Sequence, residues 1–221
     1  MQRSTGSYFD QMAAGWGARY RGASTFSRRM SLVLNEIPPA DEGARAVDVG
    51  CGTGELARAL AERGYRTVGM DASAQMLASA PGLDRVRASA LQLPFRSRSC
   101  SVVTAIGVLE YLPDPSSAFA ELARLVAPGG RALITLPNPR SLLRLAERLA
   151  YRVTAVTGRP GRLGYLRYLD HSRPISFGEL RAAGQRAGLR ERARRHFTPA
   201  LAEGVGAPLL TMNVLLRYEA V

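Results

Sequence analysis

Apolar side chains recur at helical spacing near the start of the chain, at Tyr8, Met12, Trp16 and Tyr20 and again at Phe26, Met30, Val33, Leu34 and Ile37, until Pro38-Pro39 breaks the pattern. Two helices are predicted over residues 7 to 37. Past them the period changes. Ala44 to Gly50 is a short apolar run into glycines, Glu55 to Arg63 has helical composition, and Gly64 suits a C-terminal cap, so this stretch reads strand, turn, helix. The unit recurs, with strands predicted at Arg66 to Met70, Arg85 to Ala88 and Ser101 to Ile106 and a helix at Ser73 to Ser79. Pro115 or Ser116 starts a helix running to Ala127, which Pro128-Gly129-Gly130 ends, and Arg131 to Leu136 is a strand closed by Pro137-Asn138-Pro139. A last helix near Ser176 to Ala187 precedes strands near Leu189 to His196 and Leu210 to Tyr218, expected to pair antiparallel. Strands joined by crossover helices predict an α/β fold, a doubly wound and mostly parallel seven-stranded sheet with an antiparallel last strand.

With 221 residues, 46% of them hydrophobic, the chain has the size of one domain over 1–221, with an N-terminal helical cap at 1–38 and a helical lid insert at 139–170. No apolar run is long enough to span a membrane, and Met1 to Tyr8 carries no signal-like stretch, so a cytoplasmic protein is expected. Cys51, Cys100, His171 and His196 supply neither a disulfide framework nor zinc-ligand spacing, and no metal is expected. The net charge is +12, and all thirty basic residues are arginine. A GC-rich coding bias produces arginine without any binding role. It does not explain the clustering: residues 131 to 198 hold 15 arginines and 4 acids, the rest of the chain 15 and 14. Nucleic acid, an anionic membrane surface or an acidic substrate are the partners such a half suggests.

The segment Val47-Asp48-Val49-Gly50-Cys51-Gly52-Thr53-Gly54-Glu55 falls beyond the carboxyl end of the first strand, where a doubly wound sheet places its ligand. Glycines there let backbone approach a ligand closely. Asp71 closes the second strand 21 positions after Gly50, where a carboxylate can accept hydrogen bonds from both hydroxyls of a ribose; alone, it is equally a cap for the following helix. The dinucleotide fingerprint is not met, because Gly50, Gly52 and Gly54 are followed by Glu55 in the sixth place.

Val47 to Gly54, Val68 to Ser73, Leu93-Pro94-Phe95, Val108 to Pro115 and Leu125 to Gly130 resemble, in order and spacing, the class I S-adenosylmethionine-dependent methyltransferases, which share a Rossmann-like fold. The likeness covers about residues 40 to 140 and is nearest to the small-molecule branch that includes ubiquinone and menaquinone biosynthesis and natural-product enzymes. It implies S-adenosylmethionine as cofactor and transfer of its methyl group, by in-line displacement, to a small-molecule acceptor. By the same resemblance Asp48 and the backbone of Gly50 and Gly52 contact the methionyl part, and Asp71 the ribose. Ala72 and Met76 lie against the adenine, Ala90 and Leu91 close over it, and Ile106 lines the methionyl end. Family members commonly have an acid where this chain has Ser89, whose hydroxyl can still accept a hydrogen bond from the adenine amino group. Core packing alone would also account for Met76 and Ile106.

A sulfonium is already electrophilic, so the protein chiefly aligns the acceptor and excludes water. If the acceptor is a hydroxyl, His171 is the candidate general base, since its segment Tyr168 to Ser176 resembles the family's stretch before the last helix. Tyr111 stands where many relatives have histidine and would act as a hydrogen-bond donor. Trp16 and Tyr20 resemble the family's N-terminal aromatic cap over the cofactor, or simply pack the first helix.

The insert carries its own pattern. Leu142, Leu145, Ala146, Leu149, Val153 and Val156 share one helical face, and Arg140, Arg144, Arg148 and Arg152 recur every fourth residue beside it. Like charges so spaced repel by roughly 0.2 to 0.5 kcal/mol per pair, with only Glu147 to offset them. The expectation is a helix that covers the substrate entrance and rests on an anionic membrane surface, consistent with an isoprenoid, lipid-like or polyketide acceptor; the alternative is an amphipathic lid packed on its own domain. Two other functions compete. A nucleic-acid methyltransferase is suggested by the basic half, but Gly107-Val108-Leu109-Glu110 replaces the Asn/Asp-Pro-Pro-aromatic motif of amino-methylating enzymes. A non-catalytic binding module would retain the fold. Which acceptor is used, which atom is methylated and the oligomeric state are not written in the residues.

Overall fold

The computed structural model describes residues 5–22, 24–157, 171–197 and 211–220. Two helices, α1 (Thr5–Gly22) and α2 (Ser24–Asn35), open the chain. Then β1 (Arg45–Val49), α3 (Glu55–Glu62), β2 (Arg66–Asp71), α4 (Ala74–Ala78), β3 (Asp84–Arg87) and β4 (Cys100–Ile106) alternate. A single turn of 3₁₀ helix at Leu109–Tyr111 leads to α5 (Pro115–Leu125), β5 (Val126–Pro137), α6 (Leu142–Thr157), α7 (Phe177–Arg186), β6 (Leu189–Phe197) and β7 (Asn213–Ala220). Among the described residues the strands form one seven-stranded sheet in the order β3-β2-β1-β4-β5-β7-β6. All neighbours are parallel except β7, which runs antiparallel to both β5 and β6. The fold class read from the pattern is the one observed.

The central strands feed both faces by alternation. Val103, Ala105, Ile134, Leu136, Leu216 and Tyr218 belong to the larger cluster, under Phe119 and Leu122 of α5 and Leu180 of α7. Their neighbours Val102, Leu133 and Leu215 join the other cluster, with Val33 of α2 and Leu60 of α3. Helix ends follow local chemistry. Asp114 accepts from the Ser117 N–H with Pro115 next to it, and Ser176 accepts from the Glu179 N–H, so both helices start where side chains satisfy free backbone donors. The end of α5 differs from expectation: it stops at Leu125 rather than Ala127. The N–H groups of Arg98 and Ser99 take the carbonyls of Arg124 and Leu125, and Val126 already pairs with Cys100 of β4.

Glu36, just past α2, is held from three strands: Arg195 Nε and Arg217 Nη1 donate to its carboxylate at 3.0 and 2.8 Å, and Arg131 Nη1 to its carbonyl at 2.9 Å. The foot of α2 is thereby fixed to β5, β6 and β7. Among the described residues no helix is long and apolar enough to cross a membrane.

Candidate active site

The turn after β1 carries three left-handed glycines, with φ of +70° at Gly50, +56° at Gly52 and +83° at Gly54. All three are also crowded where a side chain would start, Gly54 by Leu83 and Ala80. A Cβ on Gly50 would run into Val108 of the loop after β4, and one on Gly52 would sit 3.2 Å from Trp16 Nε1 of α1. Their N–H groups are spent inside the protein: Gly50 donates to the Met70 carbonyl at 2.7 Å and Gly52 to Asp71 Oδ2 at 2.9 Å. What these residues leave for a ligand is a bare Cα surface rather than free donors.

Asp71 ends β2 with one oxygen on Gly52 N–H and the other on Ser73 N–H at 2.8 Å, which fixes the carboxylate and leaves a lone pair on each oxygen. Burial raises its pKa while those N–H groups pull it down. Asp48 lies one strand over and is 3% exposed; Thr104, its partner in the β1–β4 register, donates to Oδ1 at 2.7 Å. Desolvation chiefly, with repulsion from Asp71 and Glu55 behind it, pushes the Asp48 carboxyl up to about 7, against the pull of the Thr104 hydroxyl. Three carboxylates thus crowd the carboxyl ends of β1 and β2, and a cationic ligand would relieve them. A sulfonium nucleoside fits this set: Asp71 offers acceptors to a vicinal diol, and the acidic cluster suits a positive charge.

On the side assigned to the adenine, Met76 and Ala90 are buried, with Met76 Sδ 4.0 Å from where a Gly52 Cβ would stand. Ala72 is exposed, its carbonyl accepting from Arg87 Nε at 3.2 Å. Leu91 is half exposed. Ser89 is exposed and its hydroxyl accepts from Leu91 N–H at 3.2 Å, so its first bond goes to its own turn. The neighbouring Leu93-Pro94-Phe95 is clamped by α5: Glu121 accepts from Leu93 N–H, and Arg124 donates to the carbonyls of Leu93 and Phe95.

Helix α1 crosses the mouth of this crevice. Ser73 Oγ donates to Asp10 Oδ1 at 2.6 Å, tying α1 to the cap of α4 beside Asp71. Phe9 meets Trp16 edge-on with centroids 5.8 Å apart and Tyr111 edge-on at 5.1 Å, and Tyr8 lies 4.4 Å from the His171 ring. The two candidate catalytic residues therefore converge on one aromatic wall through Tyr8 and Phe9. Ile106 is half-buried against the cluster under α2 and α3. The side chain of Tyr20 and insert residues 158–170 lie outside the described residues.

Sequence reading missed Tyr8 as a ring partner and Phe9, Asp10, Arg29 and Glu110 altogether. Glu110 is 7% exposed in the 3₁₀ turn, and Oε2 has no hydrogen-bond partner. Of these, only Tyr8 lay on the helical stripe. Glu110 falls inside a recognised motif but is surrounded there by Leu109 and Tyr111, and nothing local marks it as buried.

Residues 47–134 match the family described as the methyltransferase domain. The ubiquinone biosynthesis O-methyltransferase of Aeromonas salmonicida is 31% identical over 177 residues, covering 71% of this chain and 68% of that one. The 2-phytyl-1,4-naphtoquinone methyltransferase of Thermosynechococcus vestitus is 36% identical over 117 residues, 48% of this chain and 51% of that one. Against several such relatives the chain spans about half of their length, 46% for that of Methylococcus capsulatus. Among solved structures, an S-adenosylmethionine-dependent methyltransferase of Thermotoga maritima, described as a possible histamine N-methyltransferase, superposes with a TM-score of 0.73 at 18% identity, covering 98% of this chain and 99% of that one. That likeness establishes the fold.

Proposed function

The chain belongs to the class I S-adenosylmethionine-dependent methyltransferases, and from that premise we propose that it methylates an apolar small molecule, isoprenoid, lipid-like or polyketide in type, at a hydroxyl. The observation that carries the acceptor class is the aromatic wall over the crevice, in which Tyr8, Phe9 and Trp16 leave Tyr111 and His171 as the polar groups. The relatives named for ubiquinone and phytyl-naphthoquinone work support an acceptor with a ring and an apolar tail. When bound, the cofactor supplies an electrophilic methyl group. Asp71 holds its sugar, Asp48 and Glu55 favour its positive charge, and Met76 and Ala90 offer apolar surface to its base. Trp16 and Phe9 exclude water from the reacting end. Tyr111 and His171 orient the acceptor by hydrogen bonds.

The test is binding of S-adenosylmethionine by calorimetry, then incubation with prenylated and unprenylated phenols and mass detection of a methylated product. Binding together with methylation favouring the prenylated compounds is expected. Absence of cofactor binding in the wild-type chain would leave a non-catalytic module.

The insert helix supports a contact with an anionic membrane surface from which such an acceptor is taken. Leu142, Leu145, Leu149 and Val153 are 52, 53, 54 and 63% exposed, an apolar stripe turned to solvent rather than packed on the domain. Arg140 and Arg152 are exposed beside it, while Arg144 faces inward and donates to the Met212 carbonyl at 3.1 Å and Asn213 Oδ1 at 2.8 Å. Sinking four half-exposed side chains into a lipid boundary is worth roughly 3 to 6 kcal/mol, and each arginine adds about 1 kcal/mol at an anionic surface. The contact is then reversible. Flotation with phosphatidylglycerol-rich vesicles, reduced by L145D/L149D and by R140Q/R152Q, is the expected result; no flotation, or flotation indifferent to both changes, removes this part of the reading.

A further inference from the structure

Two charged groups beside the site, the buried Glu110 and the half-buried Arg29 that lies 5.4 Å from the Phe26 ring centroid, keep polar atoms without a partner. Glu110 Oε2 and Arg29 Nε both lack a hydrogen-bond partner, although each is shut away from solvent. They come from different elements, the 3₁₀ turn after β4 and α2, and converge on Gly107: a Cβ there would stand 3.3 Å from Arg29 Nη1 and 3.7 Å from Glu110 Oε1. Yet no ion pair joins them among the described residues. A carboxylate and a guanidinium that approach without pairing are costly to bury, and their unfilled hydrogen-bonding capacity calls for a third group between them.

Their place in the fold says what that group is. Two residues before Glu110, Val108 packs on Gly50 of the glycine turn; the next residue, Tyr111, meets Phe9 of the aromatic wall; and the Glu110 carbonyl accepts from Arg173 N–H, two positions past His171, at 2.8 Å. The turn that carries Glu110 therefore borders both the glycine turn and the aromatic wall, and Arg29 reaches the same turn at Gly107. Resting on the methyltransferase reading above, we propose that the acceptor hydroxyl binds between Arg29 and Glu110, Arg29 donating a hydrogen bond to its oxygen and Glu110 Oε2 removing its proton. The hydroxyl O–H bond breaks and its proton passes to Oε2; the oxygen lone pair forms the new O–CH3 bond; the methyl–sulfur bond breaks with its electrons kept by sulfur, so the sulfonium becomes a neutral thioether. Glu110 returns the proton to water once the product leaves.

The electrostatic setting suits that work. Desolvation lifts the Glu110 carboxyl to about 7, opposed by its own backbone N–H and by Arg29 from α2 and Arg144 from α6, the charged groups that face it. A base so poised matches a weakly acidic hydroxyl such as a phenol or enol better than an alcohol. Tyr111 and His171 keep the orienting role given above.

The full chain, 4-nitrophenol and 4-methoxyphenol make the test. With S-adenosylhomocysteine bound, the wild type should bind both phenols, and R29Q should bind each at least tenfold more weakly while keeping its affinity for S-adenosylhomocysteine. E110Q should lower kcat for the less acidic 4-methoxyphenol by about 100-fold, lose far less with 4-nitrophenol, and recover as pH rises and the phenol ionises in solution; its Tm should not fall. H171N should leave this contrast intact. An E110Q variant that keeps kcat, or that loses it equally for both phenols at every pH, overturns the assignment. So does a wild type that binds S-adenosylhomocysteine but neither phenol. A wild type that does not bind S-adenosylhomocysteine strikes at the methyltransferase reading instead, which keeps the two failures apart.

Discussion

Asp48 combines deep burial with like-charged neighbours, and what that arrangement costs the empty protein favours a cationic ligand. Replacing it by asparagine keeps a hydrogen-bonding partner for Thr104 and removes the charge. D48N is therefore expected to raise Tm above about pH 7 and to weaken S-adenosylmethionine binding by roughly tenfold, a loss of about 1.4 kcal/mol, as read by calorimetry and thermal melting. Asp71 was legible as an acid closing the second strand beside the glycine turn, whereas Asp48 was singled out only by the family resemblance. Ser89 was legible in position only; that its hydroxyl is engaged by Leu91 N–H depends on a turn one residue long. Arg29 and Glu110 were not legible as a pair. One is an arginine among thirty and the other an acid in an apolar run, and their meeting at Gly107 is a product of tertiary packing.

At the scale of elements, periodicity gave the strands and helices because alternation and the 3.6-residue repeat are direct records of which side is buried. The insert helix shows the limit of that inference. Its stripe of leucines was open to two readings, a lid packed on the domain or a face for a membrane surface, and α6, anchored by Arg144 to β7, turns the leucines outward. The helix should therefore respond inversely to ordinary expectation. L145D/L149D, at exposed positions, should shift Tm by less than ~2 °C, whereas R144Q, which takes a charged donor from Asn213 Oδ1 and leaves the Met212 carbonyl to the Asn138 N–H, should lower it by roughly 2 to 8 °C. Differential scanning calorimetry of the two variants decides between an anchored arginine and an anchored leucine face.

For the whole molecule, the basic half is less free than its composition suggests. Arg195 and Arg217 meet Glu36, Arg192 meets Glu219, and Arg181 and Arg194 meet Glu191. Two of those three acids lie outside residues 131 to 198, so folding brings together charges that the linear count keeps apart. Five of the fifteen arginines in that stretch, Arg144, Arg181, Arg192, Arg194 and Arg195, thus have acidic partners among the described residues. Stability should also depend on pH in a definite direction. Asp48 and Glu110 titrate near 7 in the folded chain, against ordinary values of 3.8 and 4.5. Between those limits the folded state holds protons that the unfolded chain has released. Their contribution is complete below about pH 4 and is lost as pH rises through 7, on the order of a few kcal/mol. Asp114 and Glu121, held below the ordinary carboxylate range by Ser117 and Arg124, act in the opposite sense only at more acidic pH. Melting curves should therefore show Tm falling from about pH 5 to about pH 8, and the D48N/E110Q double variant should flatten that slope; an equal slope in both proteins would remove these two carboxyls as its source.

The triple grip on Glu36 makes α2 a lever. Its fulcrum is nailed to the antiparallel corner of the sheet, and Arg29 rides on the arm two helical turns away. Loss of that grip, as in E36Q, is therefore expected to loosen the helix that carries Arg29, read as weaker phenol binding in the assay above with S-adenosylhomocysteine affinity kept.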